Sequence, residues 1–338
     1  LSGSLYENVT FKFQYDFAGG DADFKDVYVE LNRIPGVGNV RIGHFKEPFS
    51  LEEMISSNNI TFMERALPNV FAPSRNSGIM VHRPFLGEKN GERMTGALGI
   101  FHTTDNYGNA ANDGGYSVTG RVTGLPWFEE GGRKLIHLGA AYTHRNPDGD
   151  IRIRARPESH GASAFVDTGT FEADRIDSLA LEGALVYNQF SLQGEYFHNT
   201  IDTEYRGDRD FNGYYIQASV FLTGEHRRYK NSEGKFVGIK PLRNFKIHGD
   251  DRGWGAWELA LRYSSIDLND GQAPFWEERL FGTFGEVRGG EEENFTVGVN
   301  WYLNPNARIM MNYIIADLDS DVYDDDLNIF QTRFQVNF

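Results

Sequence analysis

From Val9 to Phe17 the chain reads Val-Thr-Phe-Lys-Phe-Gln-Tyr-Asp-Phe, apolar at every odd position and polar at every even one. That two-residue period marks a strand whose faces meet different surroundings. The pattern returns at residues 257–263, 295–301 and 330–338. The polar face carries Lys12, Glu182, Glu195, Glu258, Arg262 and Arg333, charges that a dry core would hold only at high cost. A soluble sandwich could turn those charges outward, but so many long strands would then need a second covering layer. The pattern predicts an all-β fold, a transmembrane antiparallel β-barrel with lipid on the apolar side and water on the polar side.

Connections alternate between short and long, as membrane barrels require. Short turns fall at residues 35–38, 188–189 and 304–306. Long polar loops fall near 47–77, 104–114, 147–176, 199–210, 267–292 and 317–327. Residues 224–252 form a long connection on the short-turn, periplasmic side. Counting back from Phe338 predicts about fourteen strands, an even number, in one barrel domain over residues 1–338, with one strand at 4–17. A sixteen-stranded barrel lacking its first hairpin fits equally. Phe330, Phe334, Val336 and Phe338 share the apolar face of the last strand and look like an outer-membrane assembly signal.

Composition removes other classes. No stretch approaches the ~20 apolar residues of a membrane-spanning helix. A net charge of −15 argues against nucleic acid as a partner. With no cysteine there is neither disulfide nor thiolate site, and no motif calls for a cofactor. The chain opens Leu1-Ser2-Gly3 with no charged-then-apolar leader, so any signal peptide is expected to have been removed or never included.

Residues 47–77 break the alternation. Ser50 with Glu53, and Thr61 with Glu64, have capping-box spacing and predict two short helices, the second halted near Pro68. Phe49, Leu51, Phe62, Leu67, Val70 and Phe71 suit packing against the wall from within. Several stretches together are identified by resemblance: Gly43-His44-Phe45-Lys46-Glu47-Pro48-Phe49-Ser50-Leu51-Glu52, Phe62-Met63-Glu64-Arg65-Ala66-Leu67-Pro68 and Pro73-Ser74-Arg75-Asn76-Ser77-Gly78. Leu222-Thr223-Gly224-Glu225-His226-Arg227-Arg228-Tyr229 and Val299-Asn300-Trp301-Tyr302-Leu303-Asn304-Pro305-Asn306 agree. The chain resembles the phosphate-selective porin O and P family along nearly its whole length. The resemblance implies sixteen strands, a homotrimer embedded in outer-membrane lipid and lipopolysaccharide, and a third extracellular loop, here 47–77, folded inward as the constriction.

The family's basic lumen implies roles for particular residues. Parity places Arg121, Arg262, Arg308 and Arg333 on the inner wall, with Lys12 and Arg41, beside Glu182, Glu195 and Glu258. Arg65 and Arg75 with Glu64 in the loop, and Arg83 beyond it, are candidates for the narrow zone. Each arginine could serve permeation or simply pair with a luminal carboxylate. The expected function is an outer-membrane porin, not an enzyme, passing small hydrophilic solutes or ions with a lean to anions, phosphate being one candidate. The alternative is a structural or adhesion barrel with little conductance. Against phosphate stand acidic runs assigned to the mouth, Glu291–Glu293 and Asp324–Asp326, which repel anions within a Debye length of ~8 Å. Asp317, Asp319 and Asp321 have an alternating spacing that also makes a weak Ca²⁺ candidate.

Overall fold

Strand-forming alternation becomes one continuous sheet. The computed structural model describes residues 1–18, 23–87, 91–104, 115–147, 149–203, 208–248, 252–270, 287–320 and 324–337. In chain order the strands begin β1 (Ser2–Leu5), β2 (Val9–Asp16), β3 (Asp23–Ile34), β4 (Gly38–Lys46), β5 (Arg75–Phe85), β6 (Met94–His102), β7 (Tyr116–Glu129) and β8 (Lys134–Asn146). Four short ones follow, β9 (Gly149–Ile151), β10 (Arg154–Ala155), β11 (Val166–Asp167) and β12 (Phe171–Ala173). Then come β13 (Arg175–Tyr187), β14 (Phe190–Asp202), β15 (Arg209–Phe221), the short β16 (Arg228–Lys230) and β17 (Lys235–Val237), and β18 (Ala256–Asp270). Last are β19 (Val287–Asn304), β20 (Ala307–Asp319) and β21 (Asp324–Val336). The long strands, together with β1, form a 15-stranded antiparallel sheet in which each pairs with its chain neighbours. The short ones form three separate hairpin-like pairs.

Two expectations about strands need correcting. Residues 4–17 are not one strand: the chain reverses after Leu5 with Tyr6 at φ 56°, and Leu5 pairs with Val9. Glu291, Glu292 and Glu293 are not in a loop but continue the period of β19, so Glu292 turns inward and the other two outward. Phe338, Asp321 and the loop tip expected at 105–114 lie outside the described residues, as do the side chains of Asp324 and Asp325.

The sheet is inverted relative to a water-soluble protein. On β13, Leu179, Leu181 and Leu185 are exposed while Ser178 and Glu182 are buried; Leu181 is 48% exposed and Glu182 4%. On β18, Leu259 and Leu261 face out and Glu258 and Arg262 face in. Phe330, Phe334 and Val336 project outward from β21. Rows of exposed leucines and aromatics over a polar buried face make sense only where hydrocarbon replaces water outside.

The inner face is occupied. Three segments hydrogen-bond to inward side chains of the sheet: residues 47–74, residues 149–173 and residues 225–240. The first touches β7 through Glu47 and β21 through Arg333, so the sheet curls around it. Behind it, Phe49, Leu67 and Phe71 pack with Phe197, Phe211 and Ile266, and also with Val166. Leu51, Ile55 and Ile60 pack with Leu135, Val186 and Phe236. From β7 to β20 the inner face is therefore dry where these segments cover it, instead of the bare wet wall that alternation alone suggests.

Candidate functional site

Local chemistry explains how residues 47–74 hold their shape. Ser50 caps the helix α1 (Leu51–Met54), its Oγ accepting from Glu53 N at 3.1 Å. The Leu51 and Glu52 amides donate to the Glu195 carboxylate at 2.8 and 2.7 Å, and the Tyr215 hydroxyl donates to it at 2.7 Å. A wall carboxylate thus satisfies amides that the helix leaves unpaired. The second expected helix is absent at residues 61–64. A 3₁₀ helix runs instead over Leu67–Phe71 with Pro68 in its first turn, where proline's missing N–H costs nothing. Glu64 does not serve as a cap; its carboxylate meets Arg333 at 2.7 Å.

Burial sorts the basic residues into two sets. In the first, Arg121 lies 2.7 Å from Glu182 and donates to Gly234 O at 2.9 Å. Arg262 lies 3.5 Å from Glu52 and 2.5 Å from Glu158, over the Phe62 ring. Arg308 donates to Ile60 O at 2.8 Å and to Gln335 Oε1. All three are buried, each holding one or more inward segments to the wall. Glu258 is likewise buried, accepting from Ser219, Asn300 and Tyr302.

The second set keeps contact with water. Lys12 and Arg75 share Asp26 at 2.5 and 2.7 Å. Arg41 pairs with Glu30 at 2.6 Å. Arg333 pairs with Glu64, with 37% of its side chain exposed. Arg65 lies 3.1 Å from Glu53 and donates to the carbonyls of Glu52 and Ile55. Burial alone would raise the Glu53 carboxyl, but Lys46 and Arg65 outweigh it and hold the group below its ordinary value. These residues sit on β2 to β5, on β21 and on the facing side of the inserted segment.

Two recesses flank that segment. Toward the long loops, about 370 Å³ is bordered by Glu64, Arg65, Val70, Arg154, Arg156 and His160. Toward the short turns, about 50 Å³ is bordered by Arg41, His82, Arg83, Arg121, Glu233 and Lys235.

Arg83 stands apart from the level of Arg65 and Arg333 but borders the short-turn recess. It shares the exposed, outward parity of Ile79 and Val81 on β5, and it pairs with Gly96 on the outward row of β6. Asp317 and Asp319 also face outward, on β20. Among the described residues no group of three potential ligands converges. Sequence reasoning missed Glu158, which comes from the long polar loop expected near 147–176; its carboxylate accepts from Ser264 and Thr296 at 2.5 and 2.7 Å. It also missed Tyr229 and Phe236 inside the connection 224–252, although aromatics in a polar turn were a signal.

Comparison with known proteins agrees with this architecture. The family model described as "Phosphate-selective porin O and P" matches residues 1–338. Porin O of Pseudomonas aeruginosa is 25% identical over 371 aligned positions, covering 100% of this chain and 80% of its own length. Among solved structures, a loop L8 deletion mutant of OmpT, an outer membrane protein of Vibrio cholerae, superposes with a TM-score of 0.56 at 11% identity. It covers 99% of this chain and 87% of its own. An anion-selective porin from Comamonas acidovorans gives 0.53 at 14% identity, covering 99% and 85%. At such identities these two establish the fold alone. The inverted sheet and the full-length match lead to one conclusion: this chain belongs to the phosphate-selective porin O and P family and is a porin of the bacterial outer membrane.

Proposed function

We propose that the chain gives passive diffusion to small anions along a path confined to one side of the inserted segment. The path enters at the recess bordered by Arg65, Arg154 and Arg156, and passes Arg65, Arg333 and Glu64 at the narrowest level. It continues past Lys12, Arg75 and Arg41 toward the short-turn recess. The observation that carries this reading is the burial contrast: these cations retain solvent access while Arg121, Arg262 and Arg308 do not. Selectivity in such a channel follows from width and lining charge, and arginine keeps its charge at any relevant pH. Outward-facing Glu291, Glu293, Asp317 and Asp319 are turned away from this path, which weakens the objection to anions at those four positions. A closed sixteen-stranded cylinder assembled as a homotrimer belongs to the same reading, and phosphate is one of the anions it would admit.

A second reading, a structural barrel with little conductance, draws on the three inward segments. A planar-bilayer recording under a tenfold KCl gradient separates the two. Ohmic steps with a reversal potential of anion-selective sign are expected, and Arg65→Ala with Arg75→Ala should move that potential toward zero. Absence of steps would favour the structural barrel; a cation-selective sign would refute the anion path.

A further inference from the structure

We propose that residues 240–248 and 252–254 form a lipid-gripping flap that binds acidic phospholipid at the short-turn rim. The connection between β15 and β18 has two halves with opposite destinations. Residues 225–240 enter the inner side, where Phe236 is buried. Beyond them the chain crosses the rim and lies on the outward surface. There the Phe245 ring meets Trp301 edge-on at 4.9 Å, and the Phe245 amide donates to Leu303 O. Trp301 stacks on Trp257 at 5.0 Å, and both indole N–H groups donate to Trp254 O. Both tryptophans stand on outward positions of their strands, in the row that hydrocarbon covers.

This flap exposes apolar side chains that no described residue covers. Leu242, Ile247 and Trp254 are each more than 60% exposed, too much greasy surface for a water-facing turn. Lys240, Arg243, Lys246 and Arg252 are interleaved with them, all exposed and with no ion pair to a described residue. The flap has four cations against two acids, Asp250 and Asp251, which lie outside the described residues, in a chain whose net charge is −15. Aromatic side chains seat at the level of lipid headgroups, and a basic cluster beside them draws anionic headgroups. Short turns of such barrels face the periplasm. The occupant that matches both features is an acidic glycerophospholipid of the periplasmic leaflet, its phosphate on the cations and its acyl chains against Leu242, Ile247 and Trp254.

The inference requires only that the protein sits in a membrane, so it survives or fails separately from conduction. The test uses the full-length protein in vesicles with brominated lipids, reading tryptophan quenching. Brominated phosphatidylglycerol should quench at a bound fraction about tenfold higher than brominated phosphatidylcholine does at equal content. Trp254→Phe should remove the part of the quenching that differs between the two lipids and leave the part from Trp257 and Trp301, which both lipids share. The triple variant Arg243→Glu, Lys246→Glu, Arg252→Glu should erase the headgroup preference while its heat-shifted gel mobility, which reports folding, stays unchanged. Equal quenching by both lipids would overturn the proposal, as would a preference that persists in the triple variant. Protection of Trp254 in oligomers but not in monomers would overturn it too, since a second copy would then be the occupant.

Discussion

Replacing Arg262 with alanine would leave Glu52 and Glu158 facing each other across a dry gap, because that one guanidinium lies between carboxylates from two different loops. Removing one partner of a buried pair costs about 3–5 kcal/mol. The Arg262→Ala porin should therefore unfold at lower temperature by heat-shifted gel mobility, and its open-channel current should be larger and noisier as both loops loosen. An unchanged current would show that Arg262 does not hold the loops in place. Such pairing was half legible in the sequence. Parity put Arg262 and Glu258 on one face correctly, since position along a strand fixes side. It could not show that Glu158, 104 positions away, folds back to the same spot. Arg83 illustrates the limit differently: proximity to the loop in sequence suggested the narrow zone, whereas it has the parity of Ile79 and Val81 and borders the short-turn recess at the far end of β5.

Among the elements, the inner half of the connection between β15 and β18 behaves as a plug held by both apolar and charged contacts. Phe236 packs against Leu51, Ile55 and Ile60 of the inserted segment, so Phe236→Ala should cost about 3–5 kcal/mol and show as earlier thermal unfolding. Glu233 lies beside Lys230 and Lys235, 2.6 Å from the latter. Burial opposes its ionisation, yet the two lysines hold the carboxyl down to about 2 against an ordinary 4.5. A depressed carboxylate contributes stability above its unfolded value, and that contribution disappears as pH falls from about 4.5 toward about 2. Protease cleavage next to Lys230 and Lys235 should therefore quicken across that window. In Glu233→Gln cleavage should be fast already at pH 7 and lose its acid dependence. At this scale the strands were legible because alternation is local, although the expected strand at 4–17 is two, β1 and β2. The inward course of residues 149–173 was not, because a polar loop reads the same whether it faces water outside the wall or inside it.

Across the whole molecule, the account rests on a sheet wrapped around three segments that fill one side of its interior and leave cations with solvent access on the other. Family resemblance and alternation made the wall legible from sequence; the asymmetry of the filling was not, since it depends on which loops return and where they dock. The natural absence of cysteine allows that asymmetry to be read directly. Single substitutions Lys12→Cys, Arg333→Cys and Arg121→Cys, each recorded as a single channel before and after a charged methanethiosulfonate reagent, report which positions meet the conducting water. Conductance should drop by a third or more at residues 12 and 333 and stay constant at residue 121. Modification at residue 121 with no effect at 12 and 333, or no channel to record at all, would contradict the account.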